Sequence, residues 1–96
     1  MEKRDLYIEK VKAQIEQYNA KLALMRGKAS EIGADMKLEY IKQMEKLEGN
    51  RDELKEKYEQ LMKSTESTWE ELKEGTEKVW NELKDSVSKA AERFKK

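Results

Sequence analysis

Ile8, Ile15, Leu22, Ala29 and Met36 stand seven residues apart, and Val11, Tyr18, Met25 and Ile32 run beside them at the same interval. Apolar steps that alternate between three and four residues return one side of an α-helix to the same direction every two turns, which is the seam of a coiled coil. No proline interrupts the 96 residues. A chain patterned in this way is confined to helices that pack their stripes on other helices.

At Glu39 the second series fails and the stripe moves to Tyr40, a four-residue step inserted into the alternation. It continues as Tyr40, Leu47, Leu54 and Leu61, with Met44 and Tyr58 in the companion line and Arg51 interrupting it. An arginine there lays its methylenes along the seam and leads its charge outward. The last third has a different period. Trp69, Leu72, Thr76, Trp80, Leu83, Val87, Ala91 and Phe94 recur in an eleven-residue frame, close to three helical turns, and Val79 and Ala90 widen that face.

Two places offer to break the helix. The run from Lys63 to Thr68, KSTEST, strings together residues that favour caps, and Ser67 with Glu70 reads as a capping box. Gly49 and Asn50 offer a second stop, yet Leu47 and Leu54 keep their phase across it. The expected organisation is one all-α domain over residues 1–96: a long helix from about 3 to 63, a bend at about 64–68, and a helix from about 68 to 94. The alternative is a hairpin that turns at 49–50. Gly27, Gly33 and Gly75 lie within periodic stretches, where each weakens a helix by about 1 kcal/mol relative to alanine without ending it. Glu53–Lys57, Glu59–Lys63, Glu74–Lys78 and Asp85–Lys89 are spaced as helical ion pairs.

Charged residues make up 44% of the chain, the apolar set 36%, and mean hydropathy is −1.12. Slender helices that bury one stripe each tolerate such a composition better than a sheet-based globule does. Lys+Arg and Asp+Glu are equal at 21 each. Basic and acidic side chains alternate throughout, which argues against a nucleic-acid surface. No cysteine is present and no run approaches a spanning helix, so a soluble cytoplasmic protein is expected.

Chemistry-bearing constellations are missing from the sequence. Glu66, Glu70, Glu74 and Glu77 can share a helix face, but there is no histidine to complete a di-metal motif, so a solvated acidic stripe is expected. Serines and threonines have no His or Cys partner and serve better as caps. Tyr18, Tyr40 and Tyr58, like Met25, Met36 and Met44, fall on the apolar stripe as core fillers. No enzyme activity, cofactor, metal or small-molecule substrate is expected.

The frames MEKRDLYIEKVKAQIEQYNAKL and KLEYIKQMEKL, with the ending TWEELKEGTEKVWNELKDSVSKAAERF, resemble a small bacterial coiled-coil family described as stress-response or uncharacterised proteins. The most specific part is W-x-x-L-K-x-G-x-x-x-x-W with a closing Ala-Ala-x-x-Phe. Gly49-Asn50 departs from the family pattern, which runs through that point with ordinary helix formers. The resemblance implies helical structure and a loose link to stress, and it carries over no catalytic residues.

A first helix about 60 residues long outreaches a second of about 28, which leaves half its seam bare in a monomer. The expected outcome is a homo-oligomer, a dimer or a tetramer. Its contacts would be Ile8, Val11, Ile15, Tyr18, Leu22, Met25, Ile32, Met36, Tyr40, Leu47, Leu54, Tyr58 and Leu61. Trp69, Leu72, Val79, Trp80, Leu83, Val87 and Phe94 would form the packing face of the C-terminal helix. The alternative is that this last face meets a membrane surface or another apolar surface, although its polar side lacks the lysine excess of lipid-bound helices.

Overall fold

The computed structural model describes residues 3–94. Helix α1 spans Lys3–Gly27, a short 3-10 turn covers Ala29–Glu31, α2 spans Ala34–Lys63 and α3 spans Trp69–Arg93. The chain is all-α, as expected, with no strand among the described residues. The helices run up, down and up, in a body of 51 × 18 × 17 Å. Arg4 lies beside Ser64, and Tyr7 beside Trp69, at one end; Tyr40 and Phe94 meet at the other. Helix α2 packs along both of the others, and α1 and α3 touch each other less closely.

The continuous helix over 3–63 does not form. It ends at Gly27 and restarts at Ala34. Lys28 N–H still donates to the Leu24 and Met25 carbonyls, at 3.2 and 3.1 Å. Ile32 and Gly33 are both extended, and those two residues turn the chain back. The heptad phase crosses this turn because Ala29 and Ile32, although outside any α-helix, fold onto the same core that Met25 edges. Periodicity of burial survived the break, so it could not reveal it. The residue pair offered as the alternative turn, Gly49-Asn50, lies inside an unbroken α2.

The second turn falls where the cap-forming residues stand. Ser64 is extended, and its N–H and hydroxyl both donate to the Leu61 carbonyl, at 3.1 and 2.6 Å. Thr65 N–H donates to Thr68 Oγ1 at 2.9 Å, and the Thr65 hydroxyl lies 3.0 Å from Ser67 Oγ. The expected Ser67–Glu70 capping box is absent. Thr68 is the N-cap, without a side-chain cap bond, because its hydroxyl is engaged backward with Thr65.

The core is one cluster drawn from all three helices. Val11, Tyr18, Leu47, Leu54, Leu61, Leu83 and Thr76 are essentially inaccessible. The Thr76 hydroxyl is satisfied by the Leu72 carbonyl at 2.8 Å, so its burial leaves no orphan donor. In α1 the buried line is Tyr7, Val11, Ile15, Tyr18 and Leu22, with steps of 4, 4, 3 and 4. That is the face of a straight helix with 3.6 residues per turn, so Tyr7 moves inside while Ile8 drops to the edge. Full burial of each leucine contributes about 1.5–3 kcal/mol.

Candidate functional site

Most of the residues expected to join one chain to another are interior to a single chain. Val11, Ile15, Tyr18, Leu22, Tyr40, Leu47, Leu54 and Leu61 are buried, and Ile8, Met25, Ile32 and Tyr58 pack half-buried against them. Met36 is half-buried at the start of α2, outside that cluster. The premise that one chain cannot cover its own stripes is therefore corrected. It assumed a 60-residue helix, and the reversal at 28–33 supplies the third arm that closes the bundle.

The face of α3 is also turned inward. Trp69, Val79, Leu83 and Val87 are buried, while Leu72, Trp80 and Phe94 sit half-buried at the core edge. Trp69 stacks obliquely on Tyr7 with ring centres 6.0 Å apart, and the Lys73 ammonium lies 5.5 Å from the Tyr7 centroid. Trp80 carries Lys84 at 5.9 Å over its ring. At the far end Phe94 meets Tyr40 edge-on at 4.9 Å, and the Tyr40 hydroxyl donates to the Met25 carbonyl.

Polar contacts bind the helices to one another. Arg4 reaches Ser64 Oγ at 3.2 Å and the Met62 carbonyl at 2.9 Å. Arg26 pairs with Glu48, and Arg93 with Glu39. Arg51 leads its guanidinium out of the seam to Asn19, at 3.4 Å. Of the four i,i+4 pairs, Asp85–Lys89 closes, at 3.0 Å. Burial, with a smaller push from Glu77, raises the Tyr7 hydroxyl to about 12. Burial does the same for Tyr18, partly offset by Arg51. The Tyr40 hydroxyl is also raised by burial, and then by Glu31.

Among the described residues no buried side-chain N or O atom lacks a hydrogen-bond partner. No group of three or more acidic, His or Cys side chains is gathered there as a metal requires. A hollow of about 270 Å³ lies at the 28–33 end and is lined by Met25, Lys28, Glu31, Ile32, Tyr40, Ala90, Ala91 and Phe94. Among the described residues no helix is long and apolar enough to cross a membrane.

What remains for contact with other molecules is the outside. Among the described residues Leu6, Leu24, Leu38, Ile41 and Met62 are the large apolar side chains left between 43% and 68% exposed. None of them falls on the stripes read from the sequence. The signal that could have found Leu6 and Leu24 is a second, sparser heptad on the opposite side of α1.

No family model matches the chain, and no curated protein or solved structure is significantly similar to it.

Proposed function

We propose that this chain is a non-enzymatic helical interaction protein that self-associates through apolar positions outside its closed core. The observation that carries this reading is a contrast. The interior is complete within one chain, yet in a sequence that is 44% charged five large apolar side chains among the described residues stay at least 43% exposed. Dispersed surface leucines are ordinary; apolar residues that line up on an outer helix face mark association. The family resemblance of the tryptophan helix adds a bacterial setting and a loose connection to stress as part of the same proposal.

The lipid-surface alternative fares less well on this fold. The stripe that would enter a membrane interface, with Trp69, Leu83 and Val87 buried, is occupied by internal packing. Lipid contact would require α3 to leave α2, exposing Leu47, Leu54 and Leu61 together.

Light scattering from about 1 µM to about 1 mM tests the proposal over the range of weak to moderate association. The expected result is a weight-average mass that rises from 11.4 kDa towards twice that value. A constant 11.4 kDa, with tryptophan emission that shifts only when anionic vesicles are added, would overturn it in favour of lipid binding.

A further inference from the structure

We infer that the outer face of α1 is a two-fold antiparallel interface for a second copy of this chain. Leu6, Lys10, Ala13, Gln17, Ala20 and Leu24 are separated by steps of 4, 3, 4, 3 and 4, the spacing of a coiled-coil seam, and all six are exposed. This inference rests on the self-association reading and gives it a location and an occupant.

The first support is charge. One residue of these six is ionised, in a chain where 44% are. The corresponding outer lines of the other helices are more heavily charged: the line from Leu38 on α2 meets Lys42, Glu45 and Asp52, and that of α3 meets Glu71, Glu74 and Lys78. A helix face kept almost free of charge costs solubility unless something covers it.

The second support identifies the occupant. Turned end for end about the level of Ile15, the line fits itself by size: Leu6 falls opposite Leu24, and each long polar side chain falls opposite an alanine, Lys10 opposite Ala20 and Gln17 opposite Ala13. A two-fold axis places the same patch of both copies face to face, so a patch whose two halves complement each other in size is self-complementary when the helices run antiparallel. Leucines then close both ends of the contact. The alanines let the axes approach to about 8 Å, the near end of the usual range. Lys10 lies opposite the small Ala20 of the partner, and its ammonium has room to leave the seam. A parallel pairing would instead stack Lys10 on Lys10 and Gln17 on Gln17.

One feature works against the pair. Glu16 flanks the seam near its centre, so the two copies bring their Glu16 carboxylates close to each other. With a single helix pair as the contact, the interface sits at the small end of specific interfaces, and dissociation is on the order of 10–100 µM. Glu16→Gln removes the repulsion and should tighten the dimer about twofold to fivefold.

The chain has no cysteine, so introduced thiols report without background. Leu6→Cys and Leu24→Cys are exposed positions that leave the core untouched. Mixed and mildly oxidised at about 200 µM, above that dissociation range, the two single variants should cross-link to each other. Either variant alone should not, because the antiparallel arrangement separates like positions by about 27 Å. A dimer by light scattering that cross-links Leu6→Cys to itself, or neither variant to the other, overturns this interface and leaves self-association standing. A chain that stays monomeric at about 1 mM, even as Glu16→Gln, overturns both.

Discussion

The Tyr18 hydroxyl donates to the Leu47 carbonyl oxygen at 3.0 Å, and both side chains are shut off from solvent at the middle of the bundle. The bond fixes the register of α1 against α2. The two residues are 29 positions apart in the chain, a separation that an unbroken helix would turn into about 44 Å. Tyr18→Phe keeps the ring and removes the donor, while the Leu47 carbonyl retains its place in the α2 ladder. The expected loss is about 1 kcal/mol, read as a lower urea midpoint with unchanged slope.

Tyr7 and Tyr18 make the fold sensitive to alkali. Each is raised to about 12 in the folded chain from an ordinary value of 10.0. Between those values the unfolded state releases the phenolic proton while the folded state keeps it. Stability is therefore fully present below about pH 10 and falls as pH rises towards 12. The check is comparative. Urea midpoints of the wild type should fall more steeply from pH 9 to 12 than those of a Tyr7→Phe/Tyr18→Phe chain, and parallel curves would contradict the assignment.

The two tryptophans should differ in weight. Trp69 is 7% exposed and packed on Tyr7, whereas Trp80 is half-buried at the core edge. Trp69→Ala should cost about 3–5 kcal/mol and Trp80→Ala clearly less. Equivalence in the eleven-residue frame would have assigned them the same cost, so denaturation of both variants separates periodicity from packing.

Gly49 sits within α2 with open space where a Cβ would stand, and the same holds for Gly75 in α3. Replacing either with alanine should stabilise the chain by up to about 1 kcal/mol. For a domain of this size the melting temperature would rise by roughly 4–8 °C.

The sequence made the faces legible and left the topology obscure. Trp69, Thr76, Leu83 and Val87 were readable because a single helix carries their frame from end to end. The bend at 64–68 was readable because Ser64, Thr65 and Thr68 bond to backbone and to one another, as their side chains favour. The reversal at 28–33 was not. Its turn residues Ala29 and Ile32 are themselves packed on the core, so they imitate helical heptad positions. Gly33 takes an ordinary extended conformation there, available to other residues as well, and gives no distinctive mark. Tyr7 was missed for a smaller reason: a strict seven-residue count selects Ile8, whereas a straight helix drifts about 20° per heptad, enough over two heptads to leave Tyr7 nearer the centre of the inner face than Ile8. The outer line from Leu6 to Leu24 became visible once the inner face of α1 was known to be covered.

The central claim is that one chain covers its own stripes by folding back at 28–33. Glu9 and Glu59 are exposed positions on α1 and α2 near the end where Arg4 meets Ser64. The most direct test is the distance between spin labels on Glu9→Cys and Glu59→Cys, measured by pulsed electron resonance with the labelled chain diluted in unlabelled chain. Neighbouring antiparallel helices, with about 10 Å between axes plus the label arms, predict a single narrow peak below about 30 Å. A peak near 75 Å, the span of fifty residues at about 1.5 Å each, would mean that α1 and α2 are one continuous helix and would contradict the account.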